Sequence, residues 1–434
     1  MQRLGTAPVA PVDEPSGEAA WSARAVVGLW LRTHAWQLAC SAAVAMIGMA
    51  LSFVDFPFFA SGRWFVAGDD WYVVLQARFV YFGATGAVYE HNVATSALPG
   101  LAVLYAPAVA LGDHLGLVQG VPYFVAHPTM WLTVGPVAFA VGSVLLWGVD
   151  ALAAELDVPA SRRRLLAATL GVLVVVPVVE LAGHPEDCAT LGLLCFALAA
   201  HLRGEHHKVG WWLAAAILMQ TWVLLACPLL LFATPRGKRF AMAARAASFP
   251  LIVFAVCLAA DPADTWRQVV AVQPMTRTGQ HTPWYGIAPR LASYRRVAGA
   301  SSRRWGTLLS AAGGTAIALR RPSPRATLLA ASAILLVRPL FETSDWGYFS
   351  MPGLVLALVI AARDRSRSWY VLLGAVVVLS EPTYGYAYFP RIPPWIFFSF
   401  VAVANFAVLW ATTRASRRAF RRAPADPAPV AVAG

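Results

Sequence analysis

The sequence predicts an all-α, polytopic integral membrane protein with about ten to twelve transmembrane helices. Three observations predict this class. Hydrophobic residues make up 59% of the 434 residues and charged residues only 13%, whereas about a quarter of a soluble globular protein is charged. Apolar runs close to the length that crosses a bilayer recur along the chain. Short arginine-rich segments separate these runs, which is the positive-inside pattern of cytoplasmic loops.

The basic residues are spread along the chain. The net charge is +12 at pH 7, and much of it comes from short clusters at 162–164, 203–208, 236–239, 320–325, 363–367 and 414–422. A nucleic-acid-binding protein concentrates positive charge on one domain. This distribution therefore argues against nucleic acid and favours the lipid bilayer as the partner. The five cysteines lack CxxC spacing, so neither a disulfide framework nor a zinc site is predicted.

The apolar runs define a multi-span membrane domain over residues 36–413. Residues 1–35 are predicted to form a disordered, cytoplasmic N-terminal segment, and 414–434 a basic, then Pro/Ala-rich cytoplasmic tail. The predicted spans are 36–54, 131–149, 165–182, 189–202, 240–260, 306–319, 326–340, 349–362, 369–380 and 395–412. The first extracytoplasmic loop then covers about 55–97.

Two further apolar stretches allow more than one membrane topology. Residues 211–234 are interrupted by Gln220 and by Cys227-Pro228, so they form either one span or two half-helices that enter and return. Residues 98–111 are short and contain two prolines. If the N-terminus and the 162–164 cluster are both cytoplasmic, an even number of spans separates them. The spans at 36–54 and 131–149 already supply two, so we expect 98–111 to be re-entrant or interfacial.

The first outer loop contains two adjacent carboxylates, Asp69 and Asp70. Apolar residues follow them at helical spacing, which predicts an interfacial helix with Trp71 and Tyr72 at its headgroup edge. The carboxylates either cap this helix or take part in chemistry. Successive helical residues point about 100° apart, so at most one of the two faces a substrate.

The sequence GHPEDC, residues 183–188, joins two predicted spans with almost no spare residues. Its polar side chains, His184, Glu186 and Asp187, must therefore lie at the outer end of a helix pair. They could bind an acceptor hydroxyl, act as a second acid/base or ligate a divalent metal. The structural interpretation is that Pro185 starts a helix whose first-turn carboxylates favour the helix dipole. No cofactor is firmly implied, and no metal ligand is assigned.

Three stretches carry a resemblance to a known family. DDWYVVLQARFVYFGATGAVY (69–89), the block from GHPEDC to PLLL (183–231) and FETSDWGYFSMPGLVLAL (341–358) resemble segments of the actinobacterial polyprenyl-phosphate-mannose-dependent mannosyltransferases. Those enzymes belong to the membrane-embedded GT-C glycosyltransferase superfamily. The chain departs from the family pattern at two places: residues 184–187 replace Gln-x-Asn, and Gln220-Thr221 replaces Lys-Pro.

The resemblance implies a glycosyltransferase of the plasma membrane with its active site on the extracytoplasmic side. Such an enzyme moves a sugar, mannose in that family, from a polyprenyl-phosphate donor to a cell-envelope glycan or glycolipid with inversion. The expected general base is Asp70, with Asp69 as the second candidate and Asp55 as the third. Candidates for the donor phosphate are Arg338, Arg277, His281 and Arg290. Candidates for acceptor or sugar binding are His184, Glu186, Asp187, Trp284, Tyr285 and Glu342.

Other interpretations stay open. Arg338 could simply pair with Glu342 one turn on, and Trp284 and Tyr285 could anchor their loop in the headgroups. The main alternative function is a transporter or flippase for a lipid-linked or small solute. We find no internal repeat in the sequence, and the carboxylates lie at span ends, both of which favour the enzyme. A non-catalytic membrane assembly protein is the third hypothesis.

Overall fold

The computed structural model describes residues 23–53, 68–89, 98–117, 129–271, 308–320, 322–337 and 349–363, with parts of 392–410. Within these ranges every regular element is a helix. The chain forms two compact units, residues 1–39 and 40–434. The first contains α1 (Ala23–Thr33) and the first turn of α2 (Ala35–Ser52). The site described below lies entirely in the second unit.

Helices of the second unit follow in chain order. They are α3 (Gly68–Tyr81), α4 (Gly100–His114), α5 (Trp131–Gly142), α6 (Val144–Glu155), α7 (Ala160–Leu170), α8 (Pro185–Leu202), α9 (His206–Met219), α10 (Cys227–Ala233), α11 (Arg236–Ala260), α12 (Pro262–Thr265), α13 (Leu308–Leu319), α14 (Pro324–Val337) and α15 (Met351–Arg363). Helix α7 continues through two π-helical turns, Gly171–Val175 and Val178–Ala182. Short 3₁₀ helices cover Thr85–Ala87 and Thr221–Leu225.

Four of the described helical segments are long and apolar enough to cross a membrane: Ala35–Ser52, Trp131–Glu155, Ala160–Ala182 and Arg236–Ala260. They match four of the predicted spans. Three shorter apolar helices, α13, α14 and the Met351–Arg363 helix, lie in other predicted spans. The described part of the chain is thus all-helical, with helices suited to a membrane. The count of about ten to twelve spans stays a prediction, because 369–380 and part of 395–412 lie outside the described residues.

The helical bundle of the second unit has two ends. Helix α8 begins directly after His184 and ends directly before Arg203, so we name these the His184 end and the Arg203 end. Helix α6 runs parallel to α8, since Glu155 at its last position pairs with Arg203. The two helices pack closely at Gly148 and Gly192, where a Cβ atom on either residue would overlap the backbone of the other helix.

The segment 211–234 leaves the Arg203 end and returns to it. Near the start of α9, Gly210 packs against Met242 in the first turns of α11. Beyond the end of α9, Trp222 reaches the first turn of α8 at the His184 end. Because α11 begins again beside the start of α9, α10 must lead the chain back. The breaks fall where the sequence predicts them: Gln220 is extended (φ −151°, ψ 135°), and α10 begins at Cys227-Pro228. The two predicted breaks are confirmed, and the choice between one span and two half-helices stays a prediction.

Helix α4 has both of its ends at the His184 end. Gly100 packs against Leu218, the penultimate residue of α9, and Gly112 packs against Met130 and Thr133 at the start of α5. An element anchored in this way at both ends does not pass between the two ends of the bundle. The arrangement agrees with the expectation that 98–111 is re-entrant or interfacial and does not span the membrane.

Helix α3, which lies in the predicted first extracytoplasmic loop, packs against α4. The predicted helix exists, but it begins at Gly68, so that Asp69 and Asp70 lie in its first turn. Trp71 was expected at the headgroup edge, and this expectation is wrong, because its side chain is buried, with 5% exposed. Helix α4 covers the face that we assigned to lipid.

Candidate functional site

The candidate site forms where the turn between α7 and α8 meets the first turn of α3. Gly183 has φ 71° and ψ 33°, a left-handed conformation that favours glycine and ends the helical path of α7. Pro185 then starts α8, where its missing N–H costs no hydrogen bond. His184 is the one residue between them, so its ring is held at the helix junction.

The imidazole of His184 bridges two helices. Its Nε2 atom lies 3.0 Å from Asp69 Oδ2 on α3, and its Nδ1 atom lies 2.8 Å from Glu186 Oε1 on α8. Asp187 Oδ2 lies 3.9 Å from the same Nδ1. The structure therefore brings together residues that the sequence singled out in two distant motifs.

The pKa of His184 is raised well above its usual range. Burial of the ring opposes protonation, but the charge of Glu186 and the hydrogen bonds to Asp69 and Glu186 outweigh it. The pKa of Asp69 is lowered. Desolvation by burial would raise this pKa, but the hydrogen bond to His184 and the charge of its ring outweigh that effect. Both shifts act in the direction that strengthens the contact between the His184 ring and the Asp69 carboxylate.

The two adjacent aspartates have different environments. The Asp69 side chain is 57% exposed, whereas Asp70 is fully buried. Asp70 Oδ1 accepts a hydrogen bond of 3.0 Å from the Tyr105 hydroxyl on α4. Burial raises the pKa of Asp70 well above its usual range, and the charge of Glu186 adds to this effect. The expectation that one of the pair faces outward agrees with this geometry.

Trp222 is a site residue that sequence analysis missed. Its indole Nε1 donates a hydrogen bond to Asp187 Oδ1 at 2.5 Å. The donor lies in the 3₁₀ helix Thr221–Leu225, directly after the break at Gln220. The interruption of 211–234 was the available signal, because a half-helix that stops inside a bundle must present its polar groups to something.

A second polar chain lies beside this cluster and was also missed. Ser52 Oγ lies 2.6 Å from Glu180 Oε2, and the indole Nε1 of Trp131 donates to the same Oγ at 3.0 Å. Glu180 is buried within the second π-helical turn of α7. Such turns are frequent at functional sites. Three helices, α2, α5 and α7, thereby meet at the Ser52 hydroxyl.

Several buried oxygens near the site have no hydrogen-bond partner among the described residues. They are Asp70 Oδ2, Glu180 Oε1 and Glu186 Oε2. Buried polar atoms are normally satisfied, so each such atom calls for a proton, an ordered water or a bound group. The ligand atoms of His184, Glu186 and Asp187 also lie within 4.8 Å of one another, which is a spacing that one metal ion could bridge.

An apolar cleft lies between α11 and the 211–234 segment. Its volume is about 590 Å³, and its walls come from α9, the 3₁₀ helix, α10 and α11, with Leu98 and the π-helical turn after α12. Thr221, the neighbour of Trp222 in sequence, is one of its lining residues. The cleft therefore reaches the same turn that contacts Asp187.

The remaining predicted site residues lie outside the described residues: Asp55, Arg277, His281, Trp284, Tyr285, Arg290, Arg338 and Glu342. Their roles stay predictions. Comparisons with protein-family models, curated proteins and solved structures gave no match for this chain.

Proposed function

We propose that this protein is a membrane glycosyltransferase that moves a sugar from a polyprenyl-phosphate donor to a hydroxyl of a cell-envelope glycan or glycolipid. One observation carries the proposal: a half-exposed carboxylate, Asp69, is held by His184 at one end of an apolar helical bundle. A lipid-borne donor and a water-soluble acceptor meet only at such a boundary. The apolar cleft that reaches Thr221 supports the lipid part of this substrate.

The proposed reaction proceeds with inversion and needs a general base. The acceptor oxygen attacks the anomeric carbon, the bond from that carbon to the phosphate oxygen breaks, and the lipid phosphate leaves with the electron pair. The acceptor proton passes to a carboxylate within hydrogen-bond reach. Asp69 is the better candidate because it is exposed, whereas Asp70 is fully buried against Tyr105. We therefore assign Asp70 to positioning α3 and Asp69 to proton transfer, which reverses the order that the sequence suggested.

The Asp69→Asn variant tests this assignment. The purified chain in nanodiscs is supplied with radiolabelled polyprenyl-phosphate mannose and an envelope lipid extract, and the labelled product is measured. Loss of the base is expected to lower transfer about 100-fold or more. Asp157→Asn is the matched control, because Asp157 is an exposed carboxylate whose residue has φ 56°, a conformation that Asn tolerates. No transfer by the natural chain, or full transfer by Asp69→Asn, would sink the proposal.

A transporter is the second candidate, and two observations favour it. The segment 211–234 is discontinuous, and Glu180 is a buried carboxylate inside a candidate span. Transporters often use broken helices and intramembrane acids at their binding sites. Proteoliposomes distinguish the two functions: a transporter moves labelled lipid or solute without forming a glycosidic bond and loses this in Glu180→Gln.

A further inference from the structure

We propose that His184, Glu186 and Asp187 bind one divalent transition-metal ion through His184 Nδ1 and one oxygen of each carboxylate. The site adjoins the proposed general base, Asp69, but metal binding can be measured without turnover, so its test does not depend on the reaction proposed above. The three residues follow one another across the junction of α7 and α8, where Gly183 and Pro185 fix the backbone.

The spacing of the ligand atoms is close to the spacing of donors around one ion. Two donors at about 2.1 Å from an octahedral ion lie about 3.0 Å apart when adjacent and about 4.2 Å apart when opposite. Here His184 Nδ1 lies 2.8 Å from Glu186 Oε1 and 3.9 Å from Asp187 Oδ2. All three ligand atoms lie within 4.8 Å of one another. Small rotations of the carboxylates would complete the set.

Two neighbours orient the ligands as metal sites require. Asp69 Oδ2 lies 3.0 Å from His184 Nε2, so it can accept the proton there and leave the Nδ1 lone pair facing the carboxylates. Trp222 Nε1 donates to Asp187 Oδ1, which leaves Oδ2 directed at the ring. A lone pair that faces two carboxylates is stable only with a positive charge between them, either a proton or a metal ion.

Unpartnered oxygens give a second, independent indication of a ligand. Asp70 is fully buried, its Oδ2 has no hydrogen-bond partner among the described residues, and its carboxyl is close enough for the charges of Glu186 and His184 to act on it. Glu186 is also more than nine-tenths buried, and its Oε2 is likewise unpartnered within the described part of the chain. Buried carboxyl oxygens without a partner call for a proton, a bound water or a cation.

The chemistry of the three ligands narrows the choice of metal ion. Mg²⁺ and Ca²⁺ prefer oxygen donors alone, whereas an imidazole combined with carboxylates suits Mn²⁺, Fe²⁺ or Zn²⁺. The closest sulfur to the cluster in sequence, Cys188, follows Asp187 on α8 and is not in the ligand group. We therefore expect Mn²⁺ and Zn²⁺ to bind, and Ca²⁺ to bind far more weakly.

Titration of the purified full chain with Mn²⁺ tests the site. The chain is freed of its affinity tag, treated with EDTA, dialysed and titrated while free Mn²⁺ is followed by electron paramagnetic resonance. About one tight ion per chain is expected, together with competition by Zn²⁺. Glu186→Gln and Asp187→Asn are expected to abolish it. Glu155→Gln, at the Arg203 end, is the control that keeps full binding.

A further variant keeps the test decisive if a ligand variant does not fold. Trp222→Phe retains all three ligands and loses only the bond that orients Asp187, so it is expected to weaken Mn²⁺ binding about tenfold. Absence of any tight Mn²⁺ or Zn²⁺ binding by the natural chain overturns the site. Unchanged affinity in Trp222→Phe, or in folded Glu186→Gln, overturns the ligand assignment in the same way.

Discussion

The two ends of the bundle hold their charges in opposite ways. At the His184 end, His184 and Glu186 are mostly buried, and their ion pair is surrounded by further carboxylates. At the Arg203 end, Arg203 pairs with Glu155 at 2.7 Å with side chains 37% and 28% exposed. Exposed pairs cost little to form and contribute little, whereas burying charge is expensive. The buried charges at the His184 end are therefore the ones that need a functional explanation.

Two arginines at the Arg203 end satisfy helix ends. Arg162 donates to the Ala362 carbonyl at the end of α15, and Arg239 donates to the carbonyls of Phe232 and Thr234 at the end of α10. Cations at helix C-termini are favourable because the last carbonyls lack partners. These arginines therefore cap helices, in contrast to the carboxylate cluster at the opposite end.

The largest expected effect comes from breaking the contact between α6 and α8, two helices that run between the two ends. Gly192→Leu places a side chain against the backbone of α6 at Val144, which cannot move without separating α6 from α8. We expect destabilisation of more than about 3 kcal/mol, with loss of the monodisperse peak in size-exclusion chromatography. Gly237→Ala is the control, because a Cβ atom there meets nothing within 4 Å. Normal folding of Gly192→Leu would contradict the tight α6–α8 packing.

The intermediate effect compares one cation at each end. His184→Ala leaves buried carboxylates without their positive partner and should cost about 3 kcal/mol. Arg203→Ala removes an exposed pair and should cost less than about 1 kcal/mol. Thermal unfolding of both variants in the same detergent measures the difference. Equal losses would show that the two ends do not differ in the way their burial indicates.

The smallest expected effect compares two indole donors. Trp222→Phe removes a hydrogen bond to a carboxylate and should cost about 2 kcal/mol, since bonds to charged groups are the stronger ones. Trp147→Phe removes a hydrogen bond of 3.0 Å to the neutral Ser41 hydroxyl and should cost about 1 kcal/mol. Both changes keep an aromatic ring, so unfolding in denaturant compares the acceptors. A larger loss in Trp147→Phe would reverse the comparison.

Local patterns in the sequence determined the class of the protein and the parts of its site. Hydropathy predicted an all-helical membrane protein and the four long spans, since transfer into lipid depends on residues within one helix. Prolines and polar residues predicted the breaks in 211–234 and the start of α8 at Pro185. The two motifs around Asp69 and His184 were visible for the same reason: each lies in one short stretch.

Only the tertiary structure decided how these parts meet. It selected Asp69 rather than Asp70 as the partner of His184, because the packing of α3 against α4 sets which first-turn residue points outward. It also brought Trp222 to Asp187 and joined Ser52, Glu180 and Trp131 across three helices. Such contacts depend on how each helix is rotated about its own axis and on the path by which α10 leads the chain back to the Arg203 end. No local sequence pattern encodes either property.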